Sequence, residues 1–397
     1  MGPSAGFHPY NHIPEGNTVN IKRYGAIAAV VGATALVLAG CATSNSSGSS
    51  DSPSAKPTTE TVVGPKVDTS LTGTITAGGS SAQANAETAW TAAFQGTQAK
   101  GVVVNYDKSQ GSGGGVTNFL SGSYDFAGSD AALNATQYPQ AVTLCAGGSP
   151  VDIPAYLSGV ALIYKLDGVT DLQLSSATVA KIFTLQIKTW DDPAIKADNP
   201  KATLPSTPIT VVTRSDGSGT TANFTKYMHD TQPSIFTQAV GTAWPVAGTS
   251  GQQGGSGVVN AVTAGTGTIG YADQSSIGTA TAAKVSGSGK DFVAYTAEGA
   301  TEAFDSAATV ASQGAGDLTE VIDYSKISGK SAYPIPLLSY VITCTVHKDA
   351  AQGKLTQAYL GYVLSTQGQL VGSKNAGAAP LPTSVLKAAQ KTIALIK

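Results

Sequence analysis

The stretch Thr213-Arg214-Ser215-Asp216-Gly217-Ser218-Gly219-Thr220-Thr221 decides how this chain is interpreted. It follows the apolar run 209–212, which predicts a buried strand, and precedes 222–228, which predicts a helix. The first amides of a helix lack intrahelical partners, glycine lets the backbone approach a ligand, and arginine adds a two-pronged charged grip. The stretch therefore predicts an oxyanion cradle, although Ser-Asp-Gly-Ser-Gly is also typical of a surface turn.

Two more junctions follow the same pattern of strand, Gly/Ser turn and helix. Strand 74–76 runs into Gly78-Gly79-Ser80-Ser81, and strand 102–106 precedes Gly111-Ser112-Gly113-Gly114-Gly115. Soon afterwards, Tyr124-Asp125-Phe126-Ala127-Gly128-Ser129-Asp130 indicates a strand that ends in a carboxylate. Three such junctions suggest that several helix N-termini converge on one anion.

With these motifs in place, the sequence resembles the PstS-type phosphate-binding proteins, the extracytoplasmic receptors of phosphate ABC importers. A later segment, Gly267-Thr268-Ile269-Gly270-Tyr271, also matches, so the resemblance extends from about residue 70 to the C-terminus. It implies inorganic phosphate as ligand, no cofactor and a membrane permease as partner. The phosphate-binding positions that it implies are Ser81, Ala82, Ser112, Asp130, Arg214, Ser218, Gly219 and Thr220. The family often has Thr-Phe where this chain has Ser81-Ala82.

Asp130 would discriminate between oxyanions. A carboxylate that faces an anion repels it, and like-charge juxtaposition costs several kcal/mol. Phosphate near neutral pH carries a proton that it can donate to Asp130, whereas sulfate has none to donate. The alternative role for Asp130 is a capping or turn aspartate.

The order of predicted elements indicates an α/β fold. Strands are expected at 101–106, 124–128, 159–164 and 209–213, and helices at 81–95, 115–121, 176–182 and 220–229. The roughly 325 residues after the tether exceed a usual single core, which indicates two lobes. The resemblance implies a two-lobe periplasmic-binding-protein fold with two interlobe crossovers and the ligand in the cleft. It divides the chain into lobe I (71–153 and 336–397) and lobe II (154–335).

The N-terminus indicates export. Lys22-Arg23 precedes an apolar stretch from Tyr24 to Leu38 and then Leu38-Ala39-Gly40-Cys41, so residues 1–40 form a leader with a secretory signal. This resembles a lipobox, in which Cys41 becomes the acylated N-terminus on the outer face of the cell membrane. The rival interpretation is a transmembrane helix, but the stretch is shorter than the ~20 residues that a span needs. Val19 is a candidate for the true start.

Residues 41–70 are dominated by Ser, Thr, Pro and Gly, which predicts a flexible tether after the acylated cysteine. The whole chain has a net charge of −2, and loss of a leader carrying two positive charges and one negative charge leaves about −3. No basic run suggests nucleic-acid binding, and a monomer is expected. Anion capture would depend on local geometry and not on a global positive field.

Cys145 and Cys344 remain after processing, and two cysteines in an exported domain most simply form one disulfide. No histidine has ligand spacing to a cysteine, so no metal is expected. Gly265–Gly270 matches a dinucleotide fingerprint, but 271–273 indicates a strand where that motif requires a helix. The glycine-rich segment 248–257 is interpreted as a mobile loop that enters a helix at Val258.

The leading hypothesis is a lipid-anchored phosphate receptor that delivers its ligand to an ABC permease. Three alternatives remain: an exported phosphoryl-transfer enzyme, a receptor for another oxyanion such as sulfate, molybdate or arsenate, and a surface antigen with vestigial binding. The enzyme alternative lacks an activated nucleophile and a metal cluster in the sequence. Asp130 disfavours sulfate but not arsenate, which is protonated as phosphate is.

Overall fold

The computed structural model describes residues 61–397 except Ser288 and Lys290. The leader, the proposed start at Val19 and the predicted acylation site Cys41 lie outside the described residues. Among the described residues, no helix has the length and apolar character needed to cross a membrane.

The described chain alternates strands and helices, as the sequence predicts. The strands are β1 Thr72–Gly79, β2 Gly101–Asp107, β3 Phe126–Ser129, β4 Pro150–Lys165, β5 Gln173–Leu174, β6 Thr210–Arg214, β7 Ser250–Gln252, β8 Thr268–Asp273, β9 Thr281–Ala282, β10 Lys284–Val285, β11 Ala308–Val310, β12 Glu320–Ile322 and β13 Pro336–Cys344. The helices are α1 Ala84–Thr97, α2 Gly111–Leu120, α3 Gln137–Leu144, α4 Ser176–Phe183, α5 Pro193–Asp198, α6 Gly219–Thr231, α7 Gly254–Ala264, α8 Ala297–Ala307, α9 Ala350–Val363, α10 Thr366–Ala376 and α11 Thr383–Ile393.

One sheet joins most of the strands in the order β2-β1-β3-β13-β4-β8-β6-β7, with β9 also paired to β4. Strand β4 connects the half of this sheet that contains β2, β1, β3 and β13 to the half that contains β8, β6 and β7. Its residues 150–159 pair antiparallel with β13, and its residues 160–165 pair antiparallel with β8. On either side, β1, β2 and β3 are mutually parallel, as are β6, β7 and β8. The predicted boundary between lobes I and II, at residues 153 and 154, therefore lies inside a continuous strand, and the exact lobe boundaries remain a prediction.

Strand β4 begins nine residues before the predicted strand at 159–164. Prolines at 150 and 154 weaken the sequence signal, because proline interrupts the hydrogen-bond ladder of a strand. The structure accommodates Pro154 beside a register shift between Ser339 and Tyr340 of β13. All sixteen residues of β4 except the last are buried, so the strand runs through the core of the fold.

The glycine-rich segment 248–257 contains a strand and the start of a helix, where the sequence predicted a mobile loop. Ser250–Gln252 forms β7, which pairs in parallel with Val212–Arg214 of β6. Helix α7 then begins at Gly254 and not at Val258. Non-local pairing with β6 therefore overrides the local tendency of glycine and serine to form loops.

Cys145 and Cys344 form the predicted disulfide, with their Cα atoms 5.2 Å apart. The bond joins the end of α3 to the last residue of β13, so it connects segments 199 residues apart in sequence. At the other end of the described chain, Val62 is buried, and its amide donates to Thr366 Oγ1 at 2.8 Å. The chain therefore packs against the fold from Val62, within the segment that the sequence assigns to the tether.

Candidate functional site

The Arg-Ser-Asp-Gly-Ser-Gly-Thr motif forms the predicted strand-to-helix junction. Arg214 is the last residue of β6, and Gly219 is the first residue of α6. The hydroxyl of Ser218 caps the helix by accepting from the Thr221 amide at 3.1 Å. The start of α6, where the first amides lack intrahelical partners, thus follows the buried Arg214 by five residues, and both features favour an oxyanion.

Arg214 forms a two-pronged ion pair with Asp216. Its Nε donates to Oδ1 at 2.6 Å and its Nη2 donates to Oδ2. Burial favours the neutral form of Asp216, but the hydrogen bonds and charge of Arg214, with the Gly254 amide, hold its pKa below the usual value. Because a guanidinium has five N–H donors, Asp216 orients Arg214 and leaves donors for a ligand.

The ion pair requires a glycine on the facing helix. Gly111, the first residue of α2, has a φ of +63°, and a Cβ there would lie 2.3 Å from Asp216 Oδ2. Any other residue would therefore strain the backbone and collide with the carboxylate. The start of α2 and the segment that carries Asp216 are so close that the Gly113 amide donates to the Gly217 carbonyl at 2.8 Å.

Asp130 directly follows β3 and is 3% exposed. Three hydroxyls donate to its carboxylate: Ser80 to Oδ1, Ser339 to Oδ1 at 2.6 Å, and Thr220 to Oδ2 at 3.0 Å. Burial raises the pKa of Asp130, while these three hydrogen bonds and the charge of Arg214 oppose the rise. The three donated hydrogen bonds and the nearby guanidinium thus favour Asp130 as a hydrogen-bond acceptor, against the effect of burial.

The structure brings together four of the predicted site residues. The Asp130 amide donates to Ser112 Oγ at 3.2 Å, and Thr220 contacts the Asp130 carboxylate. A Cβ on Gly219 would lie 2.7 Å from both Ser112 Oγ and Asp130 Cβ. Arg214 is also close to this group. Its Nη2 lies 3.2 Å from where a Cβ on Gly111 would be, and Gly111 directly precedes Ser112 in the chain.

The first Gly/Ser turn places its two serines differently. Ser81, the predicted ligand residue, accepts at Oγ from the Gly255 amide near the start of α7 at 3.2 Å. Its neighbour Ser80 contacts Asp130, and the amide of Ala82, the other predicted position, donates to Ser80 Oγ at 3.1 Å. The turn therefore contacts both Asp130 and α7, and the assignment of Ser81 and Ala82 to the ligand remains a prediction.

Sequence reasoning missed four residues at this site: Ser80, Asp216, Asn223 and Ser339. Asn223 donates from Nδ2 to the Asp130 carbonyl at 2.6 Å and accepts at Oδ1 from the Tyr324 hydroxyl. Ser80 and Asp216 stand inside the quoted motifs, so their polar character was a usable signal. Nothing local marks Ser339, whose contact with Asp130 spans 209 residues.

A cavity of about 230 Å³ adjoins this cluster. Its walls include Asp130, Asn223 and Lys226, together with apolar side chains from β12 and β13. Lys226 is paired with Asp230 at 2.5 Å, so it brings no uncompensated charge to the cavity. In residues 61–397 without 288 and 290, no group of three or more His, Cys, Asp and Glu side chains is arranged to hold a metal.

Comparison with known proteins identifies the family. The model of the PBP superfamily domain matches residues 58–367. The chain is 31% identical over 369 residues to phosphate-binding protein PstS 3 of Mycobacterium leprae, covering 92% of this chain and 96% of that protein. The chain belongs to the PstS family. It is also 33% identical over 312 residues to phosphate-binding protein PstS2 of Mycobacterium bovis, with 77% and 82% coverage.

Solved structures agree on the PstS-family fold. A high-affinity periplasmic phosphate-binding protein, PfluDING, determined with phosphate bound, matches with a TM-score of 0.64 at 21% identity. That match covers 80% of this chain and 93% of PfluDING. A phosphate-binding protein from Stenotrophomonas maltophilia gives a TM-score of 0.62 at 21% identity and the same coverage. The predicted two-lobe periplasmic-binding-protein fold is thereby confirmed.

Proposed function

We propose that this PstS-family chain binds inorganic phosphate between Arg214, the start of α6 and Asp130, and delivers it to an ABC permease. The observation that carries the proposal is the pairing of a buried guanidinium and a helix N-terminus with a buried acceptor carboxylate. The first two attract any oxyanion, while the third accepts a hydrogen bond from the protonated oxygen of phosphate. The relatives' names support the same ligand.

The proposal assigns each residue a role. Arg214 and the amides of Gly219 and Thr220 hold the unprotonated oxygens, with Ser112, Ser218 and Thr220 as hydroxyl partners. Asp130 accepts a hydrogen bond from the protonated oxygen of the ligand. Ser81 closes the opposite side, with the Ala82 N–H shared between the ligand and Ser80 Oγ, to which it donates in the described structure. Thr220 donates to Asp130 in the described structure, so it would redirect its proton to the ligand and free Oδ2.

Lipid anchoring through Cys41 and function as a monomer complete the proposal. The leader motif supports the anchor, which would hold the receptor at the outer face of the membrane near its permease. Stable anchoring takes more than one acyl chain. Mass spectrometry of the membrane-extracted protein tests this, because wild type would carry lipid on Cys41 and Cys41→Ser would carry none.

Titration calorimetry of the mature protein tests the ligand, after bound ligand is removed by partial unfolding and refolding. We expect one phosphate per chain and no heat from sulfate. Turnover of a phosphomonoester would instead support a phosphoryl-transfer enzyme, and absence of binding to any oxyanion would contradict the receptor function. Arsenate serves as a protonated control, which the same cradle would accept.

A further inference from the structure

The two carboxylate oxygens of Asp130 have unequal surroundings. Oδ1 accepts from two serine hydroxyls, those of Ser80 and Ser339, whereas Oδ2 accepts, among the described residues, only from Thr220. A carboxylate offers about four lone-pair positions in total, two on each oxygen. The serines therefore fill Oδ1, and only Oδ2 keeps capacity for a further donor.

Neighbouring N–H groups fix the direction of the two serine hydrogen bonds to Asp130. Gln83 Nε2 donates to Ser339 Oγ at 2.6 Å and to the Tyr340 carbonyl at 2.8 Å. Because a carbonyl only accepts, the Gln83 amide presents its NH₂ group to both partners. The Ala82 amide likewise donates to Ser80 Oγ at 3.1 Å. Each serine oxygen thus accepts from an N–H group, and each serine proton is directed to Asp130.

The two serine hydrogen bonds matter because a protonated Asp130 would donate a hydrogen bond to the ligand, whereas an ionised Asp130 accepts one. A neutral carboxyl group donates a hydrogen bond, so it would accept a fully ionised oxyanion instead of repelling it. Discrimination by a proton therefore requires that Asp130 stay ionised although it is fully buried. Burial raises its pKa, and the serine hydroxyls oppose that rise.

We propose that Ser80 and Ser339 are positioning residues that keep Asp130 an ionised acceptor and leave Oδ2 as the oxygen facing the ligand. They thereby set the preference for protonated over fully ionised oxyanions without touching the anion themselves. The inference rests on the proposed phosphate-binding function and deepens it, since it assigns specificity to residues behind the ligand-binding surface.

The ionisable groups near Asp130 are unchanged in the serine variants, so they do not account for a difference between those variants and wild type. Arg214 is permanently charged and favours the ionised form in every variant. Burial and the charge of Asp130 raise the pKa values of Tyr106 and Tyr324 far above neutrality, so both stay neutral. The remaining titratable groups around the adjoining cavity are Lys226, paired with Asp230, and Glu320 and Tyr340.

Phosphate and sulfate affinities of the mature protein at pH 8 and pH 5 test the inference. In Ser339→Ala, loss of one hydroxyl raises the Asp130 pKa, so we expect the phosphate-to-sulfate affinity ratio to fall about tenfold or more between pH 8 and pH 5. Wild type should keep a higher ratio at pH 5. The matched control is Thr343→Val, which removes a buried hydroxyl from the same strand that donates to the Asp125 carbonyl instead.

If Ser339→Ala fails to fold, Ser80→Ala provides the same test, because Ser80 is the other serine that donates to Asp130. The same pH-dependent loss of selectivity in either serine variant, absent from Thr343→Val, supports the positioning role. Wild-type selectivity at both pH values in the folded serine variants would overturn it, as would equal weakening of both anions at every pH. Wild type that binds no phosphate would overturn the proposed function itself.

Discussion

Gly219 and Asp130 are so close that a Cβ built on the glycine would lie 2.7 Å from Cβ of the aspartate. The first residue of α6 thus touches the residue that directly follows β3, and Ser112 Oγ lies equally near. Any side chain on Gly219 would occupy the space where the proposed phosphate site brings these elements together.

Gly219→Ala should therefore impair both folding and binding. Overpacking typically costs about 1–3 kcal/mol, and we expect the free energy of unfolding to fall by that amount, together with a loss of phosphate affinity. Urea unfolding and calorimetry measure the two effects. Gly96→Ala in α1 is the matched control, because a Cβ there meets nothing within 4 Å. Equal stability and binding in Gly219→Ala and wild type would contradict the crowding.

Arg214→Ala should weaken phosphate binding by roughly 2–5 kcal/mol, since it leaves a buried anion without its charge partner. It also leaves the carboxylate of Asp216 buried without its guanidinium. The double variant Arg214→Ala/Asp216→Ala separates the two effects, as it removes the orphaned carboxylate but does not restore the cation. Unchanged phosphate affinity in the single variant would remove Arg214 from the site.

Asp130→Asn should relax the exclusion of sulfate. The amide offers a donor where the carboxylate repels a fully ionised anion, so we expect measurable sulfate binding and a phosphate-to-sulfate ratio reduced about tenfold or more. Competition of sulfate against labelled phosphate at pH 8 measures the ratio. Continued complete exclusion of sulfate would show that proton donation to Asp130 does not decide selectivity.

Replacing both Cys145 and Cys344 with serine should lower the free energy of unfolding by about 2–5 kcal/mol. The bond closes a loop of 199 residues, which restricts the unfolded chain. Neither cysteine is among the hydrogen-bond partners of Asp130, so phosphate affinity of the folded variant should stay unchanged. Unfolding of wild type with and without reductant provides the control, and equal stability would argue that the bond contributes little.

The buried pair Asp152 and Asp317 should make stability depend on pH. Burial, and then the charge of Asp317, raise the pKa of Asp152 to about 8. The folded state therefore binds a proton more tightly than the unfolded state, whose aspartate has a pKa near 3.9. The contribution of this proton to the free energy of unfolding is fully present below about pH 4 and is lost as pH rises toward 8. The free energy of unfolding falls by at most about 1.4 kcal/mol per pH unit over this range.

Asp152→Asn removes this titration. The amide oxygen can still accept from the Leu133 amide, as the carboxylate does at 3.0 Å. The stability of the variant relative to wild type should therefore increase between pH 4 and pH 8 in urea unfolding. A difference that stays constant with pH would show that Asp152 does not titrate with a raised pKa.

The sequence predicted those parts of the site that depend on local signals. Arg214, Ser218 and Gly219 stand in one motif between an apolar run and a helical one, so their junction could be read directly. The contact of Ser339 with Asp130 depends on β13 pairing with β3, a relationship between distant segments that no local pattern encodes. The same limit hid β7, which is a strand only because β6 pairs with it.

Strand β13 also has a consequence for the order in which the protein can be completed. It lies between β3 and β4 in the sheet, yet it comes last along the chain among the described strands. Until residues 336–344 are available, β3 and β4 have no strand to join them, and Asp130 lacks one of its hydroxyl partners. The anion site and the Cys145–Cys344 disulfide can therefore be completed only when the C-terminal portion of the chain is in place, because β13 supplies both Ser339 and Cys344.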